Sequence, residues 1–186
     1  IGVIDPRRPD PEMEHVATVA VPATVAETDR FVAYAVRWPV LDGLTGEGLL
    51  LQPKGRVVAR VVALPDADQT PEVIAGIAPG LPARLQYARR LAESGCQVIV
   101  PVLADRADTF SGSDRLARFT NQPHREWIYR QAFVLGRHVI GYEVQKILAA
   151  VGWLARQNGK APVGLGVVGW GEGGLLAYYG AALDTR

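Results

Sequence analysis

The feature that most constrains this chain is a β-branched run that stops at a cluster of glycines and is followed at once by a helical run. This order predicts a strand that turns sharply into a helix, the building block of α/β folds. The strand-like run is Val163–Val168, the glycines are Gly169, Gly171, Gly173 and Gly174, and the helical run begins at Leu175.

The same alternation of strand and helix runs through the preceding part of the chain. From Arg56 onward it predicts a parallel sheet with right-handed crossovers, and the antiparallel strands expected before it make the sheet mixed. Residues 1–13 are expected to form an extended arm, and residues 14–186 a single α/β domain. The expected strands are Val16–Val25, Arg30–Trp38, Gly48–Gln52, Arg56–Leu64 and Gln97–Leu103, and the expected helices are Leu81–Ser94 and a long Glu126–Gln157, which contains Gly136 and Gly141.

Composition excludes several classes of function. A net charge of +1, with no basic stripe carrying interleaved aromatic residues, argues against a nucleic-acid partner. No apolar run is long enough to suggest a membrane span. The His, Cys, Asp and Glu residues show no metal-ligand spacing, so no metal and no cofactor are expected. The single cysteine, Cys96, excludes an internal disulfide and does not identify a compartment.

The glycine cluster has the spacing of a nucleophile elbow, G-x-Nuc-x-G, in which a reactive side chain sits on a sharp strand-to-helix turn. Gly169 and Gly173 occupy the two glycine positions, and Gly171 stands where Ser, Cys or Asp is needed. The backbone N–H of Glu172 would supply half of an oxyanion hole, and the Glu172 side chain is expected to be a solvated or capping carboxylate. The sequence therefore predicts the backbone of an esterase corner without its attacking group.

The second half of such an oxyanion hole would come from the loop Leu64–Gln69, with Asp66 and Ala67 as the candidate positions. Asp66 and Asp68 would place negative charge where an oxyanion should form, which disfavours acyl transfer. The same carboxylates could suit a cation or a hydroxyl-rich ligand, or could simply accept local hydrogen bonds in a polar turn.

The residues of a catalytic triad do not all occur in the expected order along the chain. In this type of site the acid and the histidine follow the nucleophile along the chain. Asp184 is the candidate acid after Gly171, and no histidine follows it. Among the histidines that precede the corner, His124 is a candidate for the rim of a pocket, whereas His138 is expected to be structural.

The segment from Glu126 to Phe133, the motif Gly136-Arg137-His138, the run Gly141–Lys146 and the GWGEGG corner together resemble bacterial dienelactone-hydrolase-like and acetyl-xylan-esterase-like members of the α/β-hydrolase superfamily. The resemblance covers Arg56 to Asp184. It implies an α/β-hydrolase fold, a small ester or carbohydrate as ligand, and export in many members. It also implies that a full domain continues past Arg186 with three further strands, which carry the acid and the histidine.

Two consequences and two alternatives follow. The Val163–Val168 strand would lie at a sheet edge, which we expect to be covered by more of the same chain or by another chain. The preferred function is a scaffold or ligand-binding module that lacks its own nucleophile. One alternative is an active carboxylesterase whose catalytic residues lie outside this segment. The other is a dinucleotide-binding domain, because Gly169-x-Gly171-x-x-Gly174 matches that fingerprint.

Overall fold

The computed structural model describes residues 1–9, 12–113, 115, 118–120, 122–159 and 162–186, without the side chains of residues 118 and 119. Its main feature is a mixed sheet with helices packed on both faces. The strands are β1 (Glu14–His15), β2 (Thr24–Glu27), β3 (Phe31–Leu41), β4 (Leu44–Pro53), β5 (Ala59–Leu64), β6 (Cys96–Pro101), β7 (Gly112–Ser113), β8 (Arg118–Phe119) and β9 (Gly164–Gly169). The helices are α1 (Pro71–Ile74), α2 (Tyr87–Glu93), α3 (His124–Val134), α4 (Val139–Arg156) and α5 (Glu172–Leu183).

The main sheet has seven strands in the order β1-β3-β4-β6-β5-β9, and β2 also pairs with β3. β3 and β4 form an antiparallel hairpin whose turn uses Gly43 at a φ of 77°, a conformation that glycine adopts readily. β4 pairs antiparallel with β6, whereas β6, β5 and β9 are mutually parallel. The expected mixed sheet with parallel core strands is therefore confirmed.

Apolar residues on the two faces of the sheet form two separate cores. On one face, helices α4 and α5 pack over β3, β5 and β6 through residues such as Trp38, Ile147 and Leu176. On the other face, α1 and α2 pack through residues such as Ile74 and Ala88. The buried strands alternate their side chains between these two cores, as the pleat of a strand requires.

The expected strand over Val16–Val25 is wrong. Its central part forms a turn, because the Thr18 hydroxyl accepts hydrogen bonds from the N–H groups of Ala20 and Val21. The Thr18 N–H in turn donates to the carbonyl of Val21. Local side-chain hydrogen bonds of this kind compete with strand pairing, so only the short flanking segments β1 and β2 pair with β3.

The long helix expected over Glu126–Gln157 is two helices. Gly136 has a φ of 68°, which ends α3, and the N–H groups of Gly136 and Arg137 donate to the carbonyls of Phe133 and Ala132. This is the pattern of a Schellman C-cap. The His138 ring then caps α4, since its Nδ1 accepts from the N–H of Ile140 at 3.1 Å.

The helix expected over Leu81–Ser94 begins later than the sequence pattern suggests. A short 3₁₀ turn spans Ala83–Leu85, and the backbone of Gln86 then leaves the helical region at φ −77° and ψ 67°. Leu85 is 48% exposed as a result. Ala88 and Ala92, which lie within α2, are buried.

The N-terminal segment lies along the domain surface. Asp5 forms two hydrogen bonds with the Arg137 guanidinium at 2.6 and 2.7 Å, and the Arg8 N–H donates to the carbonyl of Val40. The expected arm over residues 1–13 includes Asp10 and Pro11, which lie outside the described residues. Within the described part of the chain, the helices are all too short or too polar to cross a lipid bilayer.

Candidate active-site corner

The connection from β9 to α5 is a strained turn, which we call the β9–α5 corner (Gly169–Glu172). β9 ends at Gly169, α5 begins at Glu172, and Gly171 between them has φ 58° and ψ −124°. Residues with side chains rarely adopt this conformation, and strained backbone of this kind is concentrated at functional sites.

The small residues of the corner allow the helix to approach the strands closely. A Cβ atom on Gly173 would lie 2.3 Å from the carbonyl oxygens of both Leu64 and Pro65, and one on Gly169 would lie 2.2 Å from the carbonyl oxygen of Gly173. Such contacts are far below van der Waals distance. By contrast, a Cβ on Gly174 would meet no atom closer than 3.3 Å. Gly169 and Gly173 are therefore required by packing.

The carboxylate of Asp66 lies directly in the β9–α5 corner. Its Oδ1 accepts hydrogen bonds from the backbone N–H of Glu172 at 2.8 Å and from that of Ala67 at 2.9 Å. A Cβ on Gly171 would lie 2.7 Å from the Asp66 Cγ and Oδ1 atoms. The loop after β5 and the start of α5 thus lie together, and one side chain fills the space between them.

Two arginines connect the acidic groups around the corner. Arg106 donates to Asp68 Oδ2 at 2.8 Å and to Glu172 Oε2 at 3.0 Å, and its Nη1 lies 3.8 Å from Asp66 Oδ1. Arg125 donates to Glu172 Oε1 at 2.6 Å. The Glu172 carboxylate is therefore held between two guanidinium groups and differs from the solvated or capping carboxylate expected from the sequence.

Arg125 extends this network into the protein interior. It forms two hydrogen bonds of 2.7 Å with the carboxylate of Glu143, which is only 1% exposed, and Glu143 also accepts from the N–H of Ala104. Burial acts to lower the pKa of Arg125, but the hydrogen bonds and charges of Glu143 and Glu172 outweigh it and raise that pKa. Arg125 therefore remains fully charged at any physiological pH.

A groove of about 470 Å³ lies beside the corner, between α3 and α5. Its lining combines the Arg125 and Glu172 side chains with the apolar surfaces of Tyr129 and Leu175. A cleft of this size can hold a small organic molecule.

The three histidines take different places. The ring of His124, a candidate for the pocket rim, does not contribute to the lining of this groove. Its Nδ1 lies 2.7 Å from Asp105 Oδ1 and its Nε2 accepts from the N–H of Phe110, so the Nδ1–H tautomer donates to the carboxylate. His138 caps α4, and His15 stacks on Tyr34.

The sequence pattern indicates the position of the corner but not the charged side chains that surround it. Arg106, Arg125 and Glu143 lie on segments far apart in the sequence, and no local spacing links them. Asp184, the acid expected after the corner, lies at the end of α5 and pairs with Arg186. In the described part of the chain, no three His, Cys, Asp or Glu side chains come together as a metal site.

The fold is shared with solved esterase structures. A protein from Bacteroides fragilis, provisionally described as an acetyl xylan esterase, superposes with a TM-score of 0.69 at 19% identity, and the match covers 98% of this chain. The acetyl xylan esterase from Paenibacillus sp. R4 has a TM-score of 0.58 at 16% identity over 96% of this chain. A cold-adapted esterase from an Arctic intertidal metagenomic library has a TM-score of 0.53 at 14% identity over 87% of this chain. No protein-family model and no curated protein sequence matches the chain.

These matches confirm the α/β-hydrolase fold expected from the sequence, with the architecture seen in acetyl xylan esterases. They span only part of the solved structures, namely 47%, 52% and 59% of their lengths. The chain therefore corresponds to about half of each of these proteins.

Proposed function

We propose that this α/β-hydrolase-fold chain carries an ester-hydrolase elbow that lacks its own nucleophile and serves as a scaffold or ligand-binding module. The observation that supports this most directly is the Asp66 carboxylate in the β9–α5 corner. It occupies the two backbone N–H groups, of Ala67 and Glu172, that would otherwise form an oxyanion hole.

The geometry explains why this arrangement opposes acyl transfer. An oxyanion hole acts through donors about 2.7–3.1 Å from the developing negative oxygen. Asp66 Oδ1 lies 2.9 and 2.8 Å from the two donors, so a carboxylate oxygen already occupies the position at which the transient oxyanion would form. A substrate carbonyl would have to displace this carboxylate and would then face its charge.

The other groups at the corner offer no substitute for the missing nucleophile. Gly171 has no side chain, and the nearby carboxylate of Glu172 is bound by Arg106 and Arg125. Because both oxygens of this carboxylate already accept from guanidinium groups, it is poorly placed to activate water. We therefore propose that neither the nucleophilic step nor general-base hydrolysis occurs at Gly171.

The groove beside the corner is the proposed ligand surface. It offers the Arg125 and Glu172 side chains as hydrogen-bonding groups and Tyr129 as an aromatic face on which a sugar ring can pack. Two of the structural neighbours are described as acetyl xylan esterases, so an acetylated carbohydrate is the proposed class of ligand.

Turnover of p-nitrophenyl acetate tests the proposal. We expect the wild-type protein to release p-nitrophenol at the rate of buffer alone. We also expect this rate to be no faster than that of the Asp66→Asn variant at equal concentration. A wild-type rate above background that falls in Glu172→Gln would refute the proposal, because it would make a corner side chain catalytic. Arg130→Gln, on the outer face of α3, is the control.

Covalent labelling distinguishes the proposed module from the alternative, an active esterase whose catalytic residues lie elsewhere. A fluorophosphonate probe followed by peptide mapping locates any activated serine. We expect no adduct within residues 1–186. An adduct on one of these residues would contradict the proposal, whereas an adduct elsewhere in a longer parent protein would support this alternative.

The dinucleotide-binding alternative is disfavoured by the same carboxylate. In that alternative the N–H groups at the start of α5 would hold a pyrophosphate. The N–H of Glu172 is instead bonded to the negatively charged Asp66. We expect no change in NADH fluorescence on titration with the protein, and saturable enhancement would revive this alternative.

We also propose that the outer edge of β9 is covered by further polypeptide, from the same or another chain. β9 pairs with β5 on one side, and in the described part of the chain no strand pairs with its other side. Trp170, directly after β9, is 71% exposed, and Tyr178 on α5 is 78% exposed. Slow amide hydrogen exchange along β9 in the parent protein would support coverage, and exchange at the rate of the loops would oppose it.

A further inference from the structure

A second cavity lies on the far side of Glu143 from the β9–α5 corner, and we call it the Lys146 cavity. It has a volume of about 760 Å³, within the range of small-molecule sites. The N-terminal segment, the β3–β4 turn, α3 and α4 contribute to its wall. Its apolar lining includes Leu41, Leu44, Ile128 and Val139.

The charged residues of this wall are paired, with one exception. Asp5 is bonded to Arg137, Asp42 to Arg8, and Glu143 to Arg125. Lys146 also lines the cavity, and in the described part of the chain no carboxylate lies within ion-pair distance of its amine. A half-buried ammonium group without a partner is unusual, because proteins generally pair charges that they remove from water.

The surroundings of Lys146 disfavour the charged form of its amine. Burial lowers the pKa of the Lys146 amine, and the charges of Glu143 and Glu47 only partly oppose this effect, while Arg125 adds to it. Glu143 cannot neutralise Lys146 fully, because both of its oxygens already accept from Arg125. An anion in the cavity would supply the missing counter-charge.

We propose that the Lys146 cavity binds a small carboxylate with an apolar body, its carboxylate on the Lys146 amine and its hydrocarbon part against Leu44, Ile128 and Val139. One unpaired cation matches one negative charge. A dianion is disfavoured, because Asp5, Asp42 and Glu143 also lie in the wall. The site is separate from the β9–α5 corner, so its occupancy does not depend on whether that corner is catalytic.

Isothermal titration with octanoate tests the proposal on the intact protein. We expect saturable one-to-one binding that weakens at least tenfold in Lys146→Met and persists in Lys146→Arg. The control is Lys54→Met, which removes the same charge at an exposed ion pair with Glu27. Octanol, with the same tail and no charge, and octyl phosphate, with a second charge, should each bind at least tenfold more weakly.

Three results would overturn the proposal: no saturable binding to the wild-type protein, equal binding to wild type and Lys146→Met, or an equal loss in Lys54→Met. If Lys146→Met does not fold, as judged by circular dichroism, the wild-type protein still decides the question. The chain has three lysines, Lys54, Lys146 and Lys160, so ¹³C-dimethylation gives three assignable lysine signals. Octanoate should shift the Lys146 signal alone, and a uniform or absent shift would refute the site.

Discussion

The β9–α5 corner and the Lys146 cavity differ in how their charged groups are bonded. At the corner, Asp66 fills the space that Gly171 leaves, and its carboxylate bonds to two backbone N–H groups. In the cavity, about 760 Å³ of space lies beside the Lys146 ammonium group, for which the described residues supply no carboxylate partner. At the corner a side chain already fills the space above the turn, whereas the cavity leaves open space beside a cation.

The difference shows that a sequence motif does not indicate where open space for a ligand lies. The glycine motif marks the corner, where Asp66 fills the space, whereas no motif marks the cavity. Arg125 lies between the two regions and bonds to Glu172 at the corner and to Glu143 in the cavity wall. In the cavity wall Glu143 therefore pairs with Arg125, and no ion pair forms between Lys146 and a described carboxylate. Substitutions can therefore test each region separately.

The largest expected effect comes from the shared residue. Arg125→Met should lower the free energy of unfolding by about 3–5 kcal/mol, because it leaves the buried Glu143 carboxylate without its cation. Urea unfolding followed by circular dichroism measures this. The control is Arg130→Met on the same helix, which breaks an exposed pair with Glu126 and should cost less than about 1 kcal/mol. Equal losses in both variants would show that the buried pair has no special role.

The next effect concerns how the corner packs. Gly173→Ala should destabilise the protein by about 1–3 kcal/mol, because the new methyl group meets the carbonyl oxygens of Leu64 and Pro65 at 2.3 Å. Gly174→Ala, one residue further along α5, should be neutral or slightly stabilising, since helices favour alanine over glycine. Thermal melts of the two variants give the comparison. A stable Gly173→Ala would mean that α5 lies further from β5.

A smaller effect tests whether Asp66 blocks position 171. Gly171→Ser should cost about 1–3 kcal/mol, from the strained backbone and the contact with the Asp66 carboxylate. In an Asp66→Gly background the cost should fall by about 0.5–3 kcal/mol, the range of coupling between residues in contact. Strict additivity in this double-mutant cycle would show that the two positions do not compete for space.

The smallest effect concerns Lys146 and is seen in its pH dependence. Because burial lowers the pKa of Lys146 in the folded state, the unfolded state binds more protons between that pKa and the ordinary value. The wild-type protein should therefore gain stability as pH rises through this interval, and Lys146→Met should lack this gain. Glu143, Glu47 and Arg125, which also act on Lys146, are unchanged in the variant. Parallel unfolding curves at every pH would contradict the lowered pKa.

The sequence predicts the frame of the molecule well because the frame depends on local patterns. Runs such as Arg56–Leu64 and the glycines after Val168 carry their own structural signal. Where the prediction fails, a local feature explains the failure. The Thr18 hydroxyl forms a turn where a strand was expected, and the positive φ of Gly136 ends a helix that was expected to continue. The mixed sheet with parallel core strands is thus accessible from the sequence, and the resemblance of its motifs adds the α/β-hydrolase fold, whereas the order β6-β5-β9 is not.

The chemistry of the two regions could not be predicted in the same way. The partners of Arg125 are 18 and 47 residues away along the chain, and the Asp66–Glu172 contact spans 106 residues. Sequence spacing does not show which of the chain's carboxylates will meet which arginine. The Lys146 cavity is lined by five separate segments, so it becomes visible only when these segments are assembled.

The contact between Asp66 and position 171 limits the order in which relatives of this chain can change. Serine at 171 would collide with the carboxylate in its present position, so position 66 must change to a smaller residue before position 171 can gain a side chain. Aspartate at 66 and a side chain at 171 should therefore rarely occur together among natural relatives.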